Sequence, residues 1–138
     1  MRLDKMNRVA LAAIAGIGGM SLAWLASAAT PPGGGATPPA DFSRCAGCHS
    51  TQSGANKIGP SLAGVFGRTS GAVPGYNYSA ALKDAKIVWD EQTLNKFLQS
   101  PSGLVHGTKM FATLPDAAAR QRVIAYLKTL QPQNAAAK

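Results

Sequence analysis

Residues 45–49 read Cys45-Ala46-Gly47-Cys48-His49, the only C-x-x-C-H in the chain and the place of both its cysteines. Two thiols at this spacing, with an imidazole beside the second, suit one chemistry best. The thiols add across the two vinyl groups of a haem, and the imidazole reaches the iron from one face. Three other chemistries use the same residue types. A disulfide between cysteines so close is strained, and its loop is too short to stabilise much. A thioredoxin-like redox pair needs a βαβ setting, and no run of this chain alternates as strands do. A zinc site needs four ligands, and Cys45, Cys48, His49 and His106 would have to supply them all. The haem reading also accounts for the composition. Only 7% of residues are aromatic, and a macrocycle would fill a core that is otherwise thin.

An iron with one protein ligand binds gases or peroxide, whereas an iron with two mainly passes electrons. A second ligand is therefore expected from far along the chain. Met110 is the only methionine after residue 28, and it lies in the irregular stretch Gly107-Thr108-Lys109-Met110. A lone methionine is normally core filler. Its loop setting and uniqueness favour the ligand role, His/Met being the common pair for electron transfer. The expected metal ligands are His49 and Met110.

Around these residues the 138-residue chain divides into three parts. Arg2, Lys5 and Arg8 precede an uncharged, mostly apolar run from Val9 to Leu25, and Ala26-Ser27-Ala28 follows as a small-residue cleavage site. Residues 1–28 are read as a signal peptide. The alternative is an uncleaved anchor, since the apolar run touches the lower end of the membrane-spanning range. Either way the domain lies outside the cytoplasm, because positive charge stays inside. Residues 29–39 are a Pro/Gly-rich linker, and residues 40–138 are expected to form a single small domain. A chain of that size has no room for a doubly wound nucleotide fold.

The formal net charge is +8, and without residues 1–28 eleven basic and five acidic residues leave +6. Such an excess attracts acidic protein surfaces or anionic membrane. Nucleic acid is the weaker partner for an exported protein and is not expected, the chain having no basic run interleaved with aromatics.

Helical signals are few. A first helix starts near Ala40-Asp41 and runs into Cys45. Between Ser50 and Gly75, six glycines with Pro60 and Pro74 predict loop. Ser79–Asp84 predicts one or two helical turns. Asp90 caps a better helix with Leu94, Phe97 and Leu98 on its apolar stripe, and Pro101 is expected to stop it. Residues 101–114 are read as loop. Asp116–Leu130 is the strongest helix, with Val123, Leu127 and Leu130 on one face and Pro132 after it. The fold class is all-α: three main helices and long loops wrapped around one covalently bound haem. Loops of this length in a small domain usually serve a site.

Residues 45–130 resemble class I cytochrome c, the mitochondrial type also found in the bacterial periplasm. The resemblance is carried, in order, by CAGCH (45–49), IGPSLAGVFGR (58–68), GYNYSAAL (75–82), VWDEQTL (88–94), GTKM (107–110) and RVIAYLKTL (122–130). It implies a small cytochrome c fold over 40–138, with Cys45 and Cys48 as the covalent haem attachments. It implies that the Pro60 carbonyl accepts from the His49 ring, and that Arg68, Tyr78 and Trp89 contact a buried haem propionate. Ser79 and Thr108 match positions of similar polar duty. Phe111 is expected to cover the haem on the Met110 side, and Tyr126 and Leu127 to pack the last helix on the first. Three residues depart from the pattern. His106 stands where the family has proline, placing a second imidazole near Met110 or, alternatively, a solvated surface histidine. Phe97 stands where the family often has tyrosine, which leaves a simpler hydrogen-bond network there. Phe42 lies three rather than four residues before Cys45, so the first helix is expected to be short.

The function implied is that of a one-electron carrier, not an enzyme. It would shuttle between membrane respiratory or photosynthetic complexes in the periplasm, with a quinol–cytochrome c reductase as donor and a terminal oxidase as acceptor. Lys57, Lys83, Lys86, Lys96 and Lys109 are candidates for steering towards acidic docking surfaces. A monomer is expected. The alternatives are a membrane-tethered cytochrome c and a haem peroxidase-like enzyme with an open iron site.

Overall fold

The structure is a computed structural model that describes residues 36–130 and residue 132. The expected signal peptide at 1–28 and residues 29–35 of the linker lie outside the described residues. A 3-10 turn, Ala40–Phe42, leads directly into α1, Ser43–Ala46. It is followed by α2 (Ala80–Asp84), α3 (Glu91–Gln99), α4 (Pro101–Leu104) and α5 (Ala117–Thr129). Among the described residues there is no strand, only an isolated antiparallel bridge between Thr69 and Val88.

The helix starts follow from side-chain acceptors for the orphan N–H groups of a first turn. Asp90 accepts from the Thr93 N–H at 2.7 Å while Thr93 Oγ1 accepts from the Asp90 N–H at 2.9 Å, a reciprocal cap. Asp116 accepts from Ala119 at 2.7 Å, and Ser79 from Leu82 at 3.2 Å. The short first helix is as expected. The loop expected over 101–114 is corrected at its start, because Pro101–Leu104 is helical. Proline ends α3 but is tolerated at the first position of a helix, where no N–H is needed. Ser100, whose hydroxyl accepts from Gly103, caps the new turn.

The 3-10 turn packs on α5, and α3 packs on both α4 and α5. Phe42 and Tyr126 meet edge to face, ring centroids 4.7 Å apart, a geometry worth about 0.5–1.5 kcal/mol beyond its buried area. Arg122 Nε donates to Asp41 at 2.7 Å across the same junction. That hydrogen bond is the main reason the Asp41 carboxyl is held below its ordinary range. The pair therefore stabilises the fold above the unfolded carboxylate pKa of about 3.9, and the gain is lost as pH falls through the lower folded value. Asp41→Asn should melt slightly below the parent at pH 7, with the gap closing below about pH 3. A gap of equal size at both pH values in thermal melts would refute the ion-pair account.

The 50–75 region runs as loop and is stitched to the segment before α3. Gly67 N–H donates to Trp89 at 2.8 Å, Trp89 N–H to Arg68 at 2.9 Å, and Ser70 N–H to Ile87 at 2.7 Å. These bonds bring Arg68 and Trp89 side by side from distant parts of the sequence.

Candidate haem site

The chain closes around a cavity of ≈350 Å³. Leu62, Val65, Leu82, Leu94, Phe97, Leu98, Val123 and Leu127 give it apolar walls. Cys45 lines it from α1, Cys48 and His49 from the turn that follows, and Met110 from the loop after α4. The residues implied for a propionate, Arg68, Tyr78 and Trp89, line it as well, as does Pro60.

α1 runs out into a turn over 45–49. Both the Cys48 and the His49 N–H donate to the Cys45 carbonyl, at 3.1 and 2.9 Å. The two cysteines are free thiols, Cys45 half-buried and Cys48 exposed. Burial, reinforced by Cys48, pushes the Cys45 thiol up, which keeps it protonated.

His49 Nδ1 lies 2.8 Å from the Pro60 carbonyl oxygen. A carbonyl can only accept, so Nδ1 carries the proton and the Nε2 lone pair is left for a metal. Burial depresses the His49 pKa, partly offset by this hydrogen bond, and the ring is held neutral. Gly59 makes room for it. A Cβ at Gly59 would come within 2.4–2.8 Å of three imidazole atoms. Gly59→Ala should therefore displace the ring and destabilise the haem-loaded protein by about 1–3 kcal/mol. Denaturant titration of the holoprotein checks this, and an unchanged midpoint would show that the ring has slack.

Arg68 is anchored by its two terminal nitrogens, which donate to Ala63 and Ser61 carbonyls at 2.8 and 2.9 Å. Burial lowers its pKa and raises that of Tyr78. The Trp89 and Phe97 rings pack at a 52° tilt, 4.9 Å between centroids. Ser79 lines the cavity while capping α2, and Thr108 is buried in the wall with its Oγ1 accepting from Met110 N–H at 3.3 Å. Phe111 lines the rim and is 85% exposed; Ile58, beside Pro60, is 79% exposed. Arg44, which the sequence reading passed over, also lines the cavity. Its position immediately before Cys45 was the available signal.

His106 is exposed and is not among the cavity-lining residues. Among the described residues no group of three or more His, Cys, Asp and Glu side chains is placed to hold a metal ion, so the zinc alternative gains no support.

The residues fit a covalently held haem. Two free thiols and a neutral imidazole cradled by Gly59 border an apolar cavity that a distant thioether also reaches. Fold and site together define a small all-α domain built around one such group. The chain belongs to the cytochrome c family, whose sequence model matches residues 40–131. Members of that family bind one covalent haem c, and Cys45 and Cys48 occupy the positions of its attachment motif. The chain is 56% identical over 90 residues to cytochrome c of Euglena viridis, covering 64% of this chain and 88% of that protein. It is 48% identical to cytochrome c2 iso-2 of Magnetospirillum fulvum, covering 67% and 97%. The solved structure of cytochrome cH from Methylobacterium extorquens matches with a TM-score of 0.60 at 40% identity, covering 64% of this chain and 91% of that one.

Proposed function

We propose that this chain is a mono-haem one-electron carrier in which Cys45 and Cys48 hold the haem, and His49 and Met110 ligate its iron. The observation that carries the reading is the shared cavity, where the C-x-x-C-H turn and Met110 meet although 61 positions separate His49 from Met110. When bound, the haem supplies an iron that alternates between Fe(III) and Fe(II). His49 would offer the iron its Nε2, oriented through Nδ1 by Pro60, and Met110 would offer its sulfur, so that side chains would fill both ligand places. That arrangement leaves no open position for a substrate and favours a carrier over a peroxidase-like enzyme. Arg68, Tyr78 and Trp89 are assigned to the buried propionate, whose charge needs hydrogen-bond donors away from water. The apolar walls exclude water from the rest of the group.

A partner is expected to approach at the rim, where Cys48, Ile58, Phe111 and Lys109 are exposed and line the cavity. Lys57 is exposed beside Ile58, and Lys83, Lys86 and Lys96 are exposed on α2, after it and on α3. These cations suit acidic docking surfaces, with a quinol–cytochrome c reductase and a terminal oxidase as the membrane complexes. Placement outside the cytoplasm rests on the reading of residues 1–28 as an export segment followed by the 29–39 linker and the 40–138 domain. No described helix is long and apolar enough to cross a membrane. The tethered alternative assigns the anchor to Val9–Leu25.

Rapid mixing of the reduced holoprotein with membranes containing an oxidase tests both carriage and steering. Oxidation should be fast at low salt and slow by tenfold or more towards 1 M, as the screening length falls from about 30 to 3 Å. A salt-independent rate would refute steering by the lysines, and no oxidation at any salt would refute carriage to such a complex.

A further inference from the structure

We propose that Arg120 is a positioning residue for Met110, pinning the downstream end of its loop. Arg120 is only 6% exposed, and no carboxylate is among its hydrogen-bond partners. Its Nη1 donates to the carbonyls of Leu114 at 2.7 Å and Pro115 at 2.8 Å, and its Nε donates to Asn95 Oδ1 on α3 at 2.7 Å. A buried cation without a counter-charge is costly, so its compensation comes from the Asn95 side chain and from holding this backbone in one place.

The loop needs such a pin. Upstream, Met110 is fixed at short range, because Thr108 N–H donates to Val105 and Thr108 Oγ1 accepts from Met110 N–H. Downstream, Phe111, Ala112 and Thr113 are exposed and make no hydrogen bond among the described residues. The first fixed point after Met110 is Leu114, whose N–H donates to Leu98 at 2.7 Å. Pro115 has no N–H, so its carbonyl is the only backbone group by which it can be held, and Arg120 holds it. The guanidinium thus joins α3, α5 and the end of the Met110 loop. With the pin removed, the loop opens more often and Met110 yields its position more readily to an added ligand.

This inference rests on Met110 being an iron ligand. Its test is titration of the oxidised, haem-loaded full chain with imidazole, alongside the weak sulfur-to-iron absorption band. The apparent Kd of an added ligand tightens in proportion to the population of the open loop. Arg120→Met, which keeps apolar length but no donors, should bind imidazole at least tenfold more tightly than the parent and show a weaker band. Arg120→Lys should fall between the two. Should Arg120→Met fail to load haem, Asn95→Leu removes only the acceptor that orients the guanidinium, and it should shift affinity in the same direction. Leu130→Ala, a buried truncation at the far end of α5 and outside the cavity lining, should lower the melting temperature without tightening imidazole binding. If Arg120→Met and Asn95→Leu melt lower yet bind imidazole like the parent, Arg120 is merely structural and the inference is overturned. If the parent lacks the sulfur band and Met110→Ala leaves imidazole affinity unchanged, the ligand assignment fails and the inference falls with it.

Discussion

Replacing both Cys45 and Cys48 by serine should yield a chain that neither retains haem through acid–acetone extraction nor folds to a cooperative native state. The first half follows from chemistry, since a hydroxyl does not form the thioether link. The second follows from size. Without haem the apolar walls of the ≈350 Å³ cavity face water and lose the contacts the macrocycle would give them. The whole stability of a domain is only about 5–15 kcal/mol. The short helices and the small buried cluster around Val123 leave little to offset that loss. Circular dichroism and a thermal melt of the double variant check this. A sharp unfolding transition in a haem-free protein would show that the fold stands without its filling.

Met110→Ala should leave the haem attached and the helices intact while removing the sulfur-to-iron band and opening the iron to added ligands. Its midpoint potential should fall by a sizeable part of the roughly 0.8 V that axial ligation spans. A gain of peroxide turnover is expected in the same variant, since one axial position is then free for substrate. His106 is exposed and outside the cavity lining, and Lys109 is exposed with its Nζ donating to the Asn77 carbonyl at 3.3 Å. His106 is not placed to substitute for the sulfur without movement of the loop, and Lys109, which lines the cavity rim, would have to give up its bond to Asn77 to do so. Voltammetry and the oxidised spectrum measure the effect. An unchanged potential and an intact red band in Met110→Ala would remove Met110 from the iron.

The parts of this architecture that were legible in the sequence are those with a local chemical cause. The C-x-x-C-H run declares covalent haem because no other chemistry fits two cysteines and a histidine at that spacing so well. Asp90 and Asp116 are legible as helix starts because a cap needs only a short polar side chain before an apolar stripe. Met110 stands out in the sequence as the one methionine after residue 28, and the structure places it in a loop that lines the cavity. The partnership of His49 with Pro60 came from family resemblance, since eleven positions of loop separate the two and spacing alone does not close them. Other features were hidden because they depend on long-range packing. Pro101 reads equally as the end of one helix or the first residue of the next, and the cap from Ser100 decides it. Arg120 was missed because the stripe of α5 was counted from Val123 onward. Carried back one turn, the same spacing through Ile124 and Leu127 places Arg120 on the buried side. A charged residue in register with an apolar stripe was the available signal. The stitching of 67–70 to 87–89, which brings Arg68 beside Trp89, left no local trace at all.

The most direct test of the central claim is the absorption spectrum of the purified full chain, oxidised and reduced, before and after acid–acetone extraction. The account predicts haem that stays with the protein, a sharp α band on reduction and a weak red band on oxidation. Haem that is extracted, or no haem at all in a folded protein, would contradict it.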